Sequence, residues 1–68
     1  MPIDIVVNGE TRPASEGQTI LDLLQQLDLD PARVAVELNR QIVRQPKWGE
    51  TTLNAGAQVE IVQFVGGG

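Results

Sequence analysis

The 68-residue sequence has no cysteine and no histidine. Without cysteine there is no disulfide to staple the fold and no thiolate to ligate zinc. A chain this small that manages without disulfides suits a reducing compartment. Without histidine the usual general base and the commonest transition-metal ligand are missing. Ser15 is the sole serine and has no base to activate it, and the sole lysine, Lys47, reads as a solvated charge beside Trp48. Glycine-rich phosphate loops require a helix to follow them, and none follows Gly66–Gly68. Asp28 and Asp30 flank Leu29, but a calcium loop needs several more oxygen ligands at set spacing, so the pair reads as a helix terminator. No nucleophile, base and electrophile converge here, and an enzyme is not expected. The start, Met1-Pro2-Ile3-Asp4, lacks a basic segment followed by a long apolar run. Neither a signal peptide nor a membrane span is expected, and the protein is read as cytoplasmic. Basic surface is scarce as well: nine acids against five bases give a net charge of −4. That balance disfavours nucleic acid, which needs a basic patch to release counterions.

What is present is a short alternating pattern with one helix in it. Ile3, Ile5 and Val7 alternate with Asp4, Val6 and Asn8, a strand with one face toward a core. Asn8-Gly9 predicts a tight hairpin, because both residues tolerate positive φ. Glu10–Pro13 is the return strand, and Pro13, which has no amide proton, places it at a sheet edge. Thr19 with Asp22 three residues on is an acidic form of the capping box. Ile20, Leu23, Leu24 and Leu27 then share one helical face, and Asp28-Leu29-Asp30-Pro31 ends the helix. Val34, Val36 and Leu38 belong to a third strand, Gln41–Arg44 to a short fourth and Gln58–Phe64 to a last one. Lys47–Leu53 reads as irregular. The expected core is Ile3, Ile5, Val7, Ile20, Leu23, Leu24, Leu27, Val36, Leu38, Val59 and Ile61. A domain of this size buries only about 60% of its unfolded surface, enough for one helix on one sheet. The fold class is therefore α+β, with a mixed four- to five-stranded sheet and the helix on one face. The first and last strands are the most apolar, so they are expected to be central and parallel.

The last strand and the end of the chain carry the functional signal. Alternation sets Val59 and Ile61 on one face and Glu60, Val62 and Phe64 on the other, which Glu60 marks as wet. Val62 and Phe64 are then exposed apolar groups beside Gly66-Gly67-Gly68, unless the loop around Trp48 covers them. Trp48 itself admits two readings, a lid on the small core or a partner contact. Exposed apolar groups often mark a partner surface. Glycine lacks Cβ, so a glycine tail fits a narrow channel, and its only distinctive group is the final carboxylate.

Across essentially all 68 residues the chain resembles the β-grasp (ubiquitin-like) sulfur carriers of the ThiS family. The matching stretches are Asn8-Gly9-Glu10, Val34–Asn39, Pro46-Lys47-Trp48 and the ending Val59–Gly68. The resemblance implies a β-grasp domain over 1–65 and a flexible glycine tail over 66–68. It implies that Gly68 is the adenylation and thiocarboxylate site, that Gly66 and Gly67 thread a partner's channel, and that Val62, Phe64 and Val65 bind partners. A ThiF-type adenylyltransferase would use ATP to activate the carboxylate, which is ionised and unreactive above its pKa of about 3.3–3.7. A ThiG-type thiazole synthase would receive the sulfur. No cofactor would be bound by the carrier itself, and no metal, membrane or nucleic acid enters; alone it would be a monomer. The small subunit of molybdopterin synthase (the MoaD family) shares the fold and tail but is usually longer. Other sulfur carriers, and a ubiquitin-like interaction module that carries no sulfur, complete the alternatives.

Overall fold

The computed structural model describes residues 1–64. Five strands and one α-helix follow in the order β1 (Pro2–Val7), β2 (Glu10–Ser15), α1 (Ile20–Gln26), β3 (Val34–Leu38), β4 (Gln41–Val43) and β5 (Gln58–Gln63). Short 3₁₀ turns occupy Pro31–Arg33 and Gln45–Glu50. The sheet order is β2-β1-β5-β3-β4, with β1 and β5 parallel and every other pair antiparallel. The two most apolar strands are thus neighbours inside the sheet, as their composition requires, and β5 is the middle strand. The arrangement is the mixed β-grasp sheet with one helix on one face.

Local chemistry explains each element. At the β1–β2 turn Asn8 and Gly9 adopt φ of 50° and 84°, the left-handed pair that a two-residue hairpin demands. β2 runs two residues beyond the expected end at Pro13, so Ala14 is buried. Pro13 is tolerated because β2 pairs on one side only. The capping box closes as expected: Thr19 Oγ1 accepts from the Asp22 amide at 3.1 Å, and Asp22 Oδ2 accepts from the Thr19 amide at 3.0 Å. The helix ends just before the expected Asp28–Pro31 segment. Asp28, at φ 59°, turns the chain into the left-handed region, and the Leu29 amide donates to the Leu24 carbonyl at 2.9 Å. Asp28 therefore takes the place that glycine usually fills in a Schellman cap. Pro31 instead opens the first 3₁₀ turn, capped by Asp30, whose Oδ1 accepts from the Ala32 amide at 2.9 Å.

Helix length decides where the core lies. Seven residues at about 1.5 Å each span about 10 Å, whereas a six-residue strand spans about 20 Å. One short helix cannot roof the whole sheet. The remainder is covered by the segment after β4, which was expected to be irregular. There Trp48 is 3% exposed and Leu53 is 1% exposed. Trp48 Nε1 donates to the Val43 carbonyl at 2.7 Å, satisfying the one polar atom this ring brings inside. The Ile20 and Leu53 amides donate to the Thr51 and Gln18 carbonyls, which ties this segment to the entrance of α1.

The core is Ile5, Val7, Ala14, Ile20, Leu23, Leu24, Val34, Val36, Trp48, Leu53, Ala57 and Val59. Ile3, Leu27, Leu38 and Ile61, expected inside, are only half-buried at its margin. Ile61 borders an open depression with Leu27 and Leu29, beyond the end of α1, so nothing roofs it. The expected faces of the last strand hold all the same: Ile61 faces the helix side and Val62 is 59% exposed.

Candidate functional site

The candidate site is the end of β5 and the sheet face on which Val62 lies. β5 is held along both edges. Its parallel pairing with β1 stops at Val7↔Val59, but the ladder continues through a side chain. Asn8 Oδ1 accepts from the Ile61 amide at 2.7 Å, and Asn8 Nδ2 donates to the Ile61 carbonyl at 3.1 Å. The amide of Asn8 thus substitutes for one more residue of backbone. On the other edge the Asn39 amide donates to the Gln58 carbonyl at 2.7 Å, while Asn39 Oδ1 accepts from the Gln58 amide at 3.0 Å. At the far end the Phe64 amide donates to the Arg33 carbonyl at 2.7 Å. The strand that leads to the glycines is therefore fixed in register up to Phe64.

Replacing Asn8 tests that anchoring. Asn8→Ala removes two hydrogen bonds, each worth about 0.5–1.5 kcal/mol net, and leaves alanine in a left-handed conformation. The expected loss is about 2 kcal/mol of unfolding free energy by denaturant titration, with faster hydrogen exchange at the Ile61 amide. An exchange rate unchanged at Ile61 would show that Asn8 does not hold the strand.

Val62 and Phe64 are 59% and 57% exposed. Trp48 is 3% exposed and belongs to the core cluster, the first of its two readings, and Val62 and Phe64 stay exposed beside it. Phe64 lines an open groove with Pro31, Ala32, Ile42, Arg44, Pro46 and Trp48. Ile42 is 77% exposed and was not among the expected partner residues. Its signal was the β3–β4 hairpin. The two-residue turn Asn39-Arg40 sets Leu38 opposite Gln41 and Glu37 opposite Ile42, so Ile42 shares the face of Glu37. Val62 sits opposite Ala35 on the same face. Val65, Gly66, Gly67 and Gly68, the other expected site residues, lie outside the described residues. No group of three or more metal-ligating side chains gathers among the described residues, and no helix there is long and apolar enough to cross a membrane.

A mixed five-stranded sheet with one helix, whose middle strand ends beside exposed apolar side chains, defines a ubiquitin-like domain. The solved structures agree: the crystal structure of the thiamine biosynthesis protein ThiS from Geobacter metallireducens superposes with a TM-score of 0.83 at 30% identity, covering 97% of this chain and 100% of that one. The family model of the ThiS family matches residues 5–68. The sulfur carrier protein ThiS of Escherichia coli is 33% identical over 66 residues, 97% of this chain and 100% of that protein. A thiazole synthase of Paramagnetospirillum magneticum is 42% identical over 64 residues, 94% of this chain, and the chain spans only 20% of that protein's length. The chain belongs to the ThiS family.

Proposed function

We propose that this protein is the sulfur carrier of thiamine biosynthesis and that its reactive group is the carboxylate of Gly68. The supporting observation is the exposed apolar patch of Val62 and Phe64 beside the point where β5 runs on toward the glycines, in a chain whose family match extends through Gly68. A ThiF-type adenylyltransferase transfers AMP from ATP to one carboxylate oxygen and releases pyrophosphate. Sulfide displaces AMP and leaves a thiocarboxylate directly. A persulfide displaces AMP to give an acyl disulfide; a thiol then attacks the donor's sulfur of that bond, forming a new disulfide with the donor while the S–S electron pair leaves on the thiocarboxylate. A ThiG-type thiazole synthase accepts that sulfur. The thiazole synthase relatives support this recipient, since a segment like this chain makes up one fifth of those proteins. The carrier contributes no side chain to the bond-making steps. It contributes a fixed strand, a docking face and a tail without side chains.

Incubation with the ThiF-type enzyme, ATP and a sulfur donor is expected to exchange one oxygen of the chain for sulfur, seen by intact-protein mass spectrometry and placed on Gly68 by fragmentation. A chain that forms no thiocarboxylate would sink the reading. Phe64→Ala is expected to weaken the complex with that enzyme by about tenfold, the scale of a modest interface anchor. It should leave the unfolding midpoint nearly unchanged, because exposed side chains contribute little to stability. Unaltered affinity by calorimetry would remove Phe64 from the interface.

A further inference from the structure

The strand positions on the outward face of the sheet carry charge of one sign. At the strand positions that point away from α1 stand three carboxylates, Asp4, Glu37 and Glu60, and no lysine or arginine. Glu37 and Glu60 lie directly opposite each other across β3 and β5, and such pairs hold their Cβ atoms about 5 Å apart. Both side chains are exposed. Among the described residues neither forms an ion pair. Arg33 is paired with Asp30 at 3.8 Å and Lys47 with Glu50 at 3.7 Å, Arg12 points to the other face, Arg40 sits in the β3–β4 turn, and Arg44, just after β4, lines the groove with Ala35, Ile42 and Phe64 without an ion pair to either acid. Like charges directly opposite in a sheet destabilise it. The fold therefore carries an unfavourable pair that no ion pair among the described residues offsets. Apolar groups flank the pair: Ile42 beside Glu37 on β4, and Val62 two residues along β5 from Glu60.

We infer that this face docks a basic surface of the activating enzyme, with a partner guanidinium seated between Glu37 and Glu60 and apolar groups against Val62 and Ile42. The inference rests on the sulfur-carrier reading for the identity of the partner. Its chemistry comes from charge complementarity. One planar cation with several donors can bridge two carboxylates, and its pairing strengthens as the surrounding apolar groups exclude water. Other occupants fit poorly. A second copy of this chain would set carboxylates against carboxylates, and nucleic acid or an anionic membrane would be repelled. The acids would also raise the association rate toward a basic site and penalise partners with an acidic one.

The test combines Glu37→Gln and Glu60→Gln in one chain, with Glu10→Gln and Glu16→Gln combined as a control that removes the same charge away from this face. Affinity for the ThiF-type enzyme is measured across a range of salt, with the thermal midpoint of each chain and thiocarboxylate yield at saturating enzyme. The expected result is a midpoint equal to or above that of the parent, an affinity lower by about tenfold or more at low salt, a flatter salt dependence and an unchanged yield at saturation. The control should keep most of its affinity. Affinity within about twofold of the parent, an equal loss in the control, or a lowered midpoint in the Glu37→Gln, Glu60→Gln chain would each overturn the inference. A parent chain that binds the enzyme but acquires no sulfur would overturn the carrier reading instead, and the binding measurements would still decide the role of the acids.

Discussion

Gly67→Val is expected to abolish, or nearly abolish, thiocarboxylate formation while leaving the unfolding transition where it is. A β-branched side chain restricts the backbone on both sides of it and, on the sulfur-carrier reading, would add bulk in a channel that admits only glycine. The fold has no reason to respond. The described core ends with Val59, and the last described residue, Phe64, is itself more than half exposed. Deleting Gly68 is a less clean probe, since the shortened chain still ends in Gly66-Gly67, one residue nearer the sheet. It should nevertheless cripple transfer, because the carboxylate is then withdrawn by up to about 3.5 Å from where the enzyme holds it. Single-turnover assays with mass-spectrometric readout would check both variants. Normal sulfur loading and delivery by the two would show that the tail does not thread an active site.

Trp48→Ala should cost about 3–5 kcal/mol of unfolding free energy, the range for emptying a buried aromatic position. Domains are stable by about 0.05–0.15 kcal/mol per residue, so 68 residues have about 3–10 kcal/mol in all. The variant is then expected to be largely unfolded at the lower end of that range. Two effects combine. The indole fills the part of the sheet that seven residues of α1 do not reach. Its Nε1 also satisfies the Val43 carbonyl at 2.7 Å. Trp48→Phe separates them, keeping most of the bulk while losing the hydrogen bond, and should cost markedly less. Urea unfolding followed by circular dichroism would measure both. A loss below about 1 kcal/mol for the alanine variant would show that the 3₁₀ segment is an ornament on a core complete without it.

Much of this molecule was determined by sequence alone, and for local reasons. Asn8-Gly9, Thr19 with Asp22, and the spacing of Ile20, Leu23 and Leu24 act within one turn or one hairpin, so their chemistry is legible in the order of residues. The face assignment in β5 was legible too, because period two leaves only the choice of which face is wet, and Glu60 makes it. The tertiary structure decided what depends on reach. A strand is about twice as long as α1, so a segment without periodicity had to close the core, and Trp48 and Leu53 entered it while Leu27 and Ile61 were left at its margin. Pairing across the sheet decided the rest. No spacing along the chain announces that Glu37 stands against Glu60, that Ile42 joins their face, or that the side chain of Asn8 completes a ladder with Ile61, more than fifty residues away. Those neighbours exist only because β5 inserts between β1 and β3, and that insertion brings Glu37, Glu60 and Ile42 onto one face.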